Sequence, residues 1–429
     1  LIGQAATNRA FRLRHLRPSK GMQFGYLQFI RENAPFLLAG ALLSFLSSFG
    51  QTFFIAIFGG EIREAYGLSN GDWGLLYMIA TGASAVAMVF AGGLADLFRV
   101  RSLGIGVVLA LGVACIAMAV NTTTAGLVLV IFALRFFGQG MASHMSVVSM
   151  TRWFVAARGR ALAVAGMGFM FAEATLPLIM VWLKSITEWR GLWLWFAVVC
   201  VILSVILYRL LRLERTPQSA ANAPAATGLL GKDWTRAMAL RHPLFWLMVP
   251  TIVFFSAFGT TFWFHQVYFA EVKGYSHLAL VAVFPLGTIA LAISTIIYGW
   301  AIDRFGVVRL MTFYILPYVV AFCLHWYAPN LIWTAVAVIL MGISGGGNAT
   351  ILSACWAGFY GTRFIGSIKA AAAALMVLGS AIGPGLSGLL IDAGVGIEIQ
   401  MLGYAACFVI AAFMMGLAAR MATRLADAS

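Results

Sequence analysis

The stretch GGLADLFRVR, residues 92–101, decides how this sequence folds, because its skeleton returns once, 207 positions later. A glycine, an aspartate four residues on and two arginines reappear in GWAIDRFGVVR, residues 299–309. Both copies close an apolar run, which is typical of a short charged connection between two membrane-spanning helices. The spacing predicts that one structural unit occurs twice in the chain.

Other residues repeat at the same spacing. The matched pairs are Glu64 and Glu271, Gly67 and Gly274, Ser69 and Ser276, Gly138 and Gly345, Gly140 and Gly347, and Pro177 and Pro384. An ordered set of this kind, spread over several apolar segments, indicates two parallel repeats. Each repeat must contain an even number of spans, because the chain has to return to the same membrane face before the second repeat begins.

The composition places these repeats in a membrane. The chain is 62% hydrophobic and 10% charged, with a mean hydropathy of +0.94, whereas a soluble domain carries about 25% charged residues. A spanning helix needs about 20 apolar residues, and the 429 residues contain twelve such runs. The runs are too long and too weakly alternating for barrel strands. The predicted fold class is an all-α polytopic membrane protein with twelve transmembrane helices in two parallel six-helix repeats.

The apolar runs divide the chain into five regions. These are a basic arm with an interfacial helix (1–34), a six-helix bundle (35–212), a cytoplasmic linker with an amphipathic helix (213–243), a second six-helix bundle (244–420) and a cytoplasmic tail (421–429). The linker contains QSAANAPAATG, residues 218–228, whose composition is typical of a connecting segment. This boundary predicts where the two repeats join.

The net charge of +14 indicates orientation and not a nucleic-acid interface. With the N-terminus inside, 23 of the 28 Lys and Arg residues fall on the cytoplasmic side, as the positive-inside rule requires. We therefore expect a multi-pass protein of the cell inner membrane with both termini cytoplasmic, membrane lipids as partners and no nucleic acid. The segment FRLRHLRPSK, residues 11–20, is too highly charged for the apolar core of a signal peptide.

Motifs for metal, cofactor or enzyme chemistry are not apparent in the sequence. The five cysteines lie in apolar runs without metal-ligand spacing. GISGG at residues 342–346 fits the G-x-S-x-G pattern, but it lies inside an apolar helix and lacks the strand–turn–helix context. Neither a phosphate-binding loop with its lysine nor an H-E-x-x-H sequence occurs. We expect no enzyme, no cofactor and no metal.

The twelve spans, the two halves, the central linker and the repeated stretch resemble the major facilitator superfamily. RFFGQG at 135–140 is similar to the arginine–glycine pattern of the family's fourth span, and Trp189-Arg190 and Gly383-Pro384-Gly385 agree with it. FHQ at 264–266 and WAGFYGTRFIGSIK at 356–369 resemble bacterial monocarboxylate or oxalate/formate-like carriers. The resemblance implies a secondary transporter that binds a solute between its halves and alternates access to it.

The same resemblance implies a gating role for the repeated stretch. The predicted gating residues are Gly92, Asp96, Arg101, Arg152, Asp303 and Arg304. Asp96 can accept hydrogen bonds from the N-terminus of a neighbouring helix, at about 0.3–2 kcal/mol, and so latch the cytoplasmic side while the solute site opens outward. The first copy departs from the family pattern at Leu97 and Arg99, where an arginine and a glycine are usual.

Arg135 and Glu173 are the two full charges that the sequence places near the bilayer centre. Each lies about ten residues, or roughly 15 Å, from the outer end of its span. An isolated charge at that depth costs at least about 2.5 kcal/mol, so we expect the two to pair. Two interpretations remain open. The pair is static, or Glu173 takes up a proton while Arg135 binds an anionic substrate.

Four further polar residues are candidates for substrate binding. His265 and Gln266 lie near the outer end of the seventh span, and a histidine there either senses protons or is a hydrogen-bonded interfacial residue. Gln51 and Asn348 lie on spans that line the cavity in the resembled family. Each touches either the solute or a neighbouring helix. His265 is also a candidate for proton coupling.

The predicted function is secondary active transport of a small organic anion, most simply a monocarboxylate, by a monomer that uses protons or a counter-substrate. The alternative is a proton-coupled carrier of a neutral or amphipathic solute, such as a vitamin-like heteroaromatic or an exported metabolite. Dense aromatic residues around the polar groups suit a planar or partly apolar solute in either case.

Overall fold

A computed structural model describes residues 22–94, 98–154, 157–212, 227–361 and 363–427 of the chain. These residues are almost entirely helical and contain no β-strand. Among them, eleven helices are long and apolar enough to cross a membrane. Two shorter helices, Val307–Leu310 and Leu316–Tyr327, together make a twelfth passage. The predicted class, an all-α polytopic membrane protein, is confirmed.

The main helices are labelled in chain order. They are α1 (Met22–Leu46), α2 (Asn70–Ala91), α3 (Val100–Val120), α4 (Thr124–Trp153), α5 (Arg158–Lys184), α6 (Trp189–Leu210), α7 (Pro243–Phe264), α8 (His277–Phe305), α9 (Leu316–Tyr327), α10 (Leu331–Tyr360), α11 (Ile365–Asp392) and α12 (Ile397–Asp427). Shorter helices are Thr52–Ile55, Gly59–Tyr66, Arg236–Arg241 and Gln266–Val272. Helices α1–α6 belong to the first half of the chain and α7–α12 to the second half.

Two helix boundaries differ from those expected. α1 begins at Met22 and continues through residue 34, where we expected an interfacial helix to end. Gln28 donates to Glu32, and the Asn33 side chain donates to the carbonyl of Phe29, so local contacts support the helix across that boundary. At the other end α12 runs to Asp427 and therefore includes most of the expected tail.

Because successive helices cross in opposite directions, their connections alternate between two faces. We call the face where α2, α4, α6, α8 and α10 end the linker face. At the opposite face, which we call the far face, the chain passes from α1, α5, α7 and α11 to the helix that follows each of them. The far face carries the connections at residues 67–69, 185–188 and 393–396.

The two halves pack closely through α2 and α11 near the far face. A Cβ atom on Gly74 would lie 2.7 Å from the carbonyl oxygen of Pro384, and one on Gly388 would collide with the backbone of Asn70. Small residues let two membrane helices approach until their backbones touch. Glycine is therefore required at both positions for the halves to meet in this way.

The first span is broken near its middle. A 3₁₀ turn at Ser47–Gly50 leads to Gln51, whose backbone is extended, before the chain becomes helical again at Thr52–Ile55. The break lies against α4, because a Cβ on Gly50 would collide with the carbonyl oxygen of Leu134. Non-helical backbone at membrane depth occurs where it is enclosed by protein or lines a cavity. The break thus leaves Gly50 and Gln51 available for contacts with side chains.

Candidate functional site

Arg135 lies beside the break in the first span and is 1% exposed. Its Nη1 donates to the carbonyl oxygen of Gly50 at 3.1 Å and to the hydroxyl of Thr52 at 3.2 Å. The guanidinium carbon lies 5.3 Å from the centre of the Tyr77 ring, and the Tyr77 hydroxyl is 2.6 Å from that of Thr52. One side of the guanidinium is thus fixed by α2 and by the broken span.

The other side of the Arg135 guanidinium has no partner among the described residues. Its Nε and Nη2 atoms are buried, and no side chain or carbonyl of the described residues accepts a hydrogen bond from them. These two nitrogens form the edge through which arginine binds a carboxylate with two parallel hydrogen bonds. Leaving buried donors unpaired costs about 1–3 kcal/mol each. A bound carboxylate would remove that cost.

Local backbone irregularity positions Arg135. It is the first residue of a π-helical segment, Arg135–Ala142, inside α4. Such segments are rare and frequently occur at functional sites. The glycines of RFFGQG permit close contact with α1, since a Cβ on Gly138 would lie 2.7 Å from the Cα of Gly50. The irregular part of α4 and the irregular part of the first span therefore meet at the arginine.

Glu173 does not pair with Arg135. No ion pair of Glu173 with any other described residue occurs, and its side chain is half-buried on α5. The pairing expected from equal depth is absent because Arg135 takes its partners from the first span and α2. Equal depth does not fix the direction in which each side chain points.

Gln266 joins the two halves near the far face. Its Nε2 donates to the carbonyl oxygens of Phe53 in the first half and Trp263 in its own half, both at 3.0 Å. Its Oε1 lies 3.3 Å from the Nε2 of His277. His265 lies at the bend after α7, where its Nε2 is 3.1 Å from the carbonyl oxygen of Pro384. Both residues are buried by protein contacts in this conformation.

Gln51 and Asn348 remain open to further contacts. Gln51 lies at the break in the first span and is partly exposed. Asn348 is half-buried on α10, and its buried Oδ1 atom accepts no hydrogen bond from the part of the chain that the structure describes. Of the residues predicted to bind substrate, these two and Arg135 therefore have polar groups that neighbouring protein does not fully engage.

Asp392 closes the far face by binding the end of a helix in the other half. Its Oδ2 accepts hydrogen bonds from the Ser69 hydroxyl at 2.6 Å and from the backbone N–H of Gly71 at 2.8 Å. Both donors belong to the N-terminus of α2, where a negative charge is stabilised by the helix dipole. Sequence reasoning missed this contact. An acidic residue ending a span was visible, but its partner lies 323 positions away.

Aromatic and ionic contacts reinforce this closure. Phe264 of the second half stacks on Trp73 at 5.3 Å and contacts Tyr77 at 4.6 Å, both in the first half. On the surface, Arg63 lies 4.0 Å from Glu271 across the two halves. We call Asp392, Gln266, Phe264 and their partners in the first half, together with the pair of Arg63 and Glu271, the far-face gate.

Of the predicted gating residues on the linker face, Gly92, Arg101, Asp303 and Arg304 make no comparable contacts between described residues of the two halves. Asp303 and Arg304 are exposed, and the guanidinium of Arg101 lies 5.5 Å from the Tyr208 ring of its own half. The carbonyl oxygen of Gly92 is 3.1 Å from His144, also in the first half. Arg152 is half-buried. Asp96 lies outside the described residues.

A metal site was not expected. In the described ranges, no group of three or more His, Cys, Asp or Glu side chains is arranged to hold a metal ion.

Comparison with known proteins places the chain in a family. The model of the Major Facilitator Superfamily matches residues 40–297, which is more than half of the sequence. The chain belongs to the Major Facilitator Superfamily. The resemblance inferred from the repeated stretch is confirmed, and this superfamily member is a membrane transporter.

Solved structures share the fold of this superfamily member. A bacterial homolog of the human lysosomal transporter Spinster, in an inward-facing and unoccupied conformation, aligns with a TM-score of 0.66 at 17% identity, covering 92% of this chain and 98% of that one. The nucleoside transporter NupG aligns with a TM-score of 0.64 at 16% identity, covering 89% and 98%. At such identities the similarity establishes the fold alone.

A multidrug resistance protein B homolog of Mycobacterium tuberculosis (strain CDC 1551 / Oshkosh) is 34% identical over 105 residues. The matched stretch covers 24% of this chain and 19% of that protein. The chain therefore aligns with about a fifth of the length of this relative.

Proposed function

We propose that this transporter is a secondary carrier that moves a small organic anion, most simply a monocarboxylate, by alternating access coupled to protons. The linker face is assigned to the cytoplasm, because 23 of the 28 basic residues fall on that side. The membrane is then the cell inner membrane. The unpartnered edge of Arg135 is the observation that carries the choice of an anion.

The chemistry of that edge favours a carboxylate. Two nitrogens in one plane match the two oxygens of a carboxylate, and charge-assisted bonds of this kind contribute about 1.5–3 kcal/mol. The ring of Tyr77 packs beside the guanidinium and is itself fully buried in this conformation. Gln51, at the break in the first span, supplies an amide within the same irregular segment.

Closure of the far face supports alternating access. The far-face gate joins the halves through hydrogen bonds, an ion pair and stacked rings, while Asp303 and Arg304 on the linker face are exposed. A solute then reaches Arg135 from the linker face. In the opposite state the far-face gate parts, and the repeated stretches, including Asp96, latch the linker face.

We assign proton coupling to Glu173. It lies in the middle of α5, and no cationic side chain of the described residues pairs with it. A carboxyl group at that depth without a cation exchanges a proton more readily than it holds a fixed charge. His265 is the second candidate, but one of its ring nitrogens already contacts the carbonyl of Pro384.

Counterflow in proteoliposomes tests the proposed substrate class. Vesicles loaded with lactate or benzoate should accumulate the labelled acid saturably. Arg135→Lys retains the charge but loses the planar edge, so we expect its apparent affinity to fall roughly 10- to 100-fold. Arg190→Lys is the matched control, since Arg190 donates to the carbonyls of Ala119 and Asn121 near the far face. Unchanged anion affinity in Arg135→Lys would reject the assignment.

The proton assignment has its own test. Glu173→Gln should leave counterflow intact while abolishing uptake driven by a pH gradient, whereas Glu64→Gln, on the exposed far-face surface, should retain both. Gradient-driven uptake by Glu173→Gln would remove Glu173 from the mechanism.

A neutral or amphipathic solute is the second candidate. It is favoured by the aromatic rings beside Arg135, where Tyr77 and Phe264 lie 4.6 Å apart, and by the stretch shared with a multidrug resistance protein homolog. Saturable counterflow of a nucleoside or a neutral heteroaromatic, unaffected by Arg135→Lys, would favour it over the anion.

A further inference from the structure

An apolar groove of about 320 Å³ opens on the first half between the end of α2, helix α3 and the π-helical segment of α4. Its lining residues are Leu94, Phe98, Ser102, Leu103, Gly106, Val107, Phe136, Phe137 and Met141. Phe98 is 54% exposed, and a Cβ on Gly106 would meet no atom within 4 Å. The floor of the groove is therefore open to whatever surrounds the protein at this depth.

The groove continues into a cation at the linker face. Ser102, Leu103, Gly106 and Val107 follow the spacing of one face of α3, and Arg99 is the residue that immediately precedes this helix. The Ser102 hydroxyl and the Leu103 N–H both donate to the carbonyl of Arg99, so the arginine lies one turn from the groove wall. The Arg99 side chain is exposed and forms no ion pair with another described residue.

Arg99 and this face of α3 therefore present a cation, then a hydroxyl, then an apolar surface, over about 12 Å in all at 1.5 Å per residue, of which the apolar part from Leu103 to Val107 is about 6 Å. A phospholipid presents the same order of chemistry, with a phosphate, polar ester groups and an acyl chain. Basic residues at a membrane surface attract anionic lipids by about 1 kcal/mol each. The charge and the order of these groups together match a lipid more closely than an apolar protein segment.

We infer that an anionic phospholipid of the leaflet at the linker face binds here, with its phosphate at Arg99 and one acyl chain along Gly106 and Val107. The opposite wall of the groove is Phe136, Phe137 and Met141, which belong to the π-helical segment that begins at Arg135. The acyl chain thus packs against the part of α4 that positions the guanidinium.

Native mass spectrometry of the delipidated full chain, titrated with phosphatidylglycerol or phosphatidylcholine of identical acyl chains, tests the site. We expect the first bound phosphatidylglycerol to be preferred by about fivefold. Arg99→Gln should remove the preference and leave binding of either lipid. Gly106→Leu should fill the floor and weaken binding of both lipids, and Gly106→Ala, which adds a single methyl group, should weaken it in part.

Matched controls come from α12 in the second half. Arg420→Gln removes an exposed cation, and Gly403→Leu adds a side chain where no atom lies within 4 Å. Both should retain the preference for phosphatidylglycerol. Equal binding of the two lipids by the unmodified chain, or full binding by both Gly106 variants, would overturn the site. A lipid-free dimer that Gly106→Leu converts to monomer would identify a second copy as the occupant and overturn it as well.

Discussion

The two membrane faces of this transporter differ in how their halves are joined. At the far face, Asp392 binds the N-terminus of α2, Gln266 reaches the backbone of Phe53, and Phe264 stacks on Trp73. At the linker face, Asp303 and Arg304 are exposed. The repeated sequence predicted that a carboxylate would bind a helix N-terminus at the linker face. In this conformation, a contact of that kind joins the two halves at the far face.

Among the variants considered, Gly388→Leu is expected to cause the largest change in the closed fraction of the far face. A side chain there would collide with the backbone of Asn70, which cannot move without parting α2 from α11. Overpacking costs about 1–3 kcal/mol, and more against backbone, so we expect the closed fraction of the far face to fall about a hundredfold. Maleimide labelling of an engineered Val267→Cys should accelerate accordingly. Gly396→Leu, where no atom lies within 4 Å, is the control and should leave the rate unchanged.

Asp392→Asn should cause the next largest change in the closed fraction of the far face. The substitution keeps the shape of the side chain but weakens two charge-assisted hydrogen bonds to Ser69 and Gly71, worth about 1.5–3 kcal/mol together. The far face should open about tenfold more often, as spin-label distances between Ala65→Cys and Val272→Cys would report. Asp72→Asn is the control, because Asp72 caps the same helix from within its own half. Equal shifts in both variants would mean that helix capping, and not the contact between halves, is responsible.

A smaller change is expected for Gln266→Leu. It removes the hydrogen bond to the carbonyl of Phe53 at nearly constant volume, at a cost of about 0.5–1.5 kcal/mol. The closed fraction should fall roughly threefold to tenfold in the same distance measurement. Gln400→Leu removes a buried glutamine that binds only within the second half, and it should lower thermal stability without opening the far face.

The smallest effect belongs to the surface pair of Arg63 and Glu271. The two atoms are 4.0 Å apart and the Glu271 side chain is 58% exposed, so the pair contributes at most about 1 kcal/mol. Glu271→Gln should change the closed fraction less than about fivefold, and the change should disappear at high salt because exposed charges are screened. An effect larger than that of Asp392→Asn would reverse the order of importance within the gate.

The sequence was sufficient for features that depend on periodicity and composition. The duplicated stretch predicted the superfamily, the apolar runs predicted the spanning helices, and the arginine in α4 was located at membrane depth. These features are local or repeat at a fixed spacing, so no tertiary information is needed to see them.

Features that depend on which side chains meet could not be predicted. The first span breaks at SSFGQ without a proline, because contact with α4 at Gly138 stabilises the irregular backbone. Residue counts place Glu173 and Arg135 at similar depth, but the fold does not pair them, and Arg135 instead binds Gly50 and Thr52. Nothing in the sequence around Asp392 indicates that Ser69, 323 positions away, is its partner, because only the fold brings the two together.

Distances measured across both faces of one protein test alternating access most directly. Spin labels at Ala65→Cys and Val272→Cys report the far face, and labels at Gly159→Cys and Arg309→Cys, both exposed positions, report the linker face. Without solute we expect a short far-face distance. With a saturating transported carboxylate, a second population should show a longer far-face distance together with a shorter linker-face distance. Opening of both faces at once, or a far-face distance that never changes, would contradict the account.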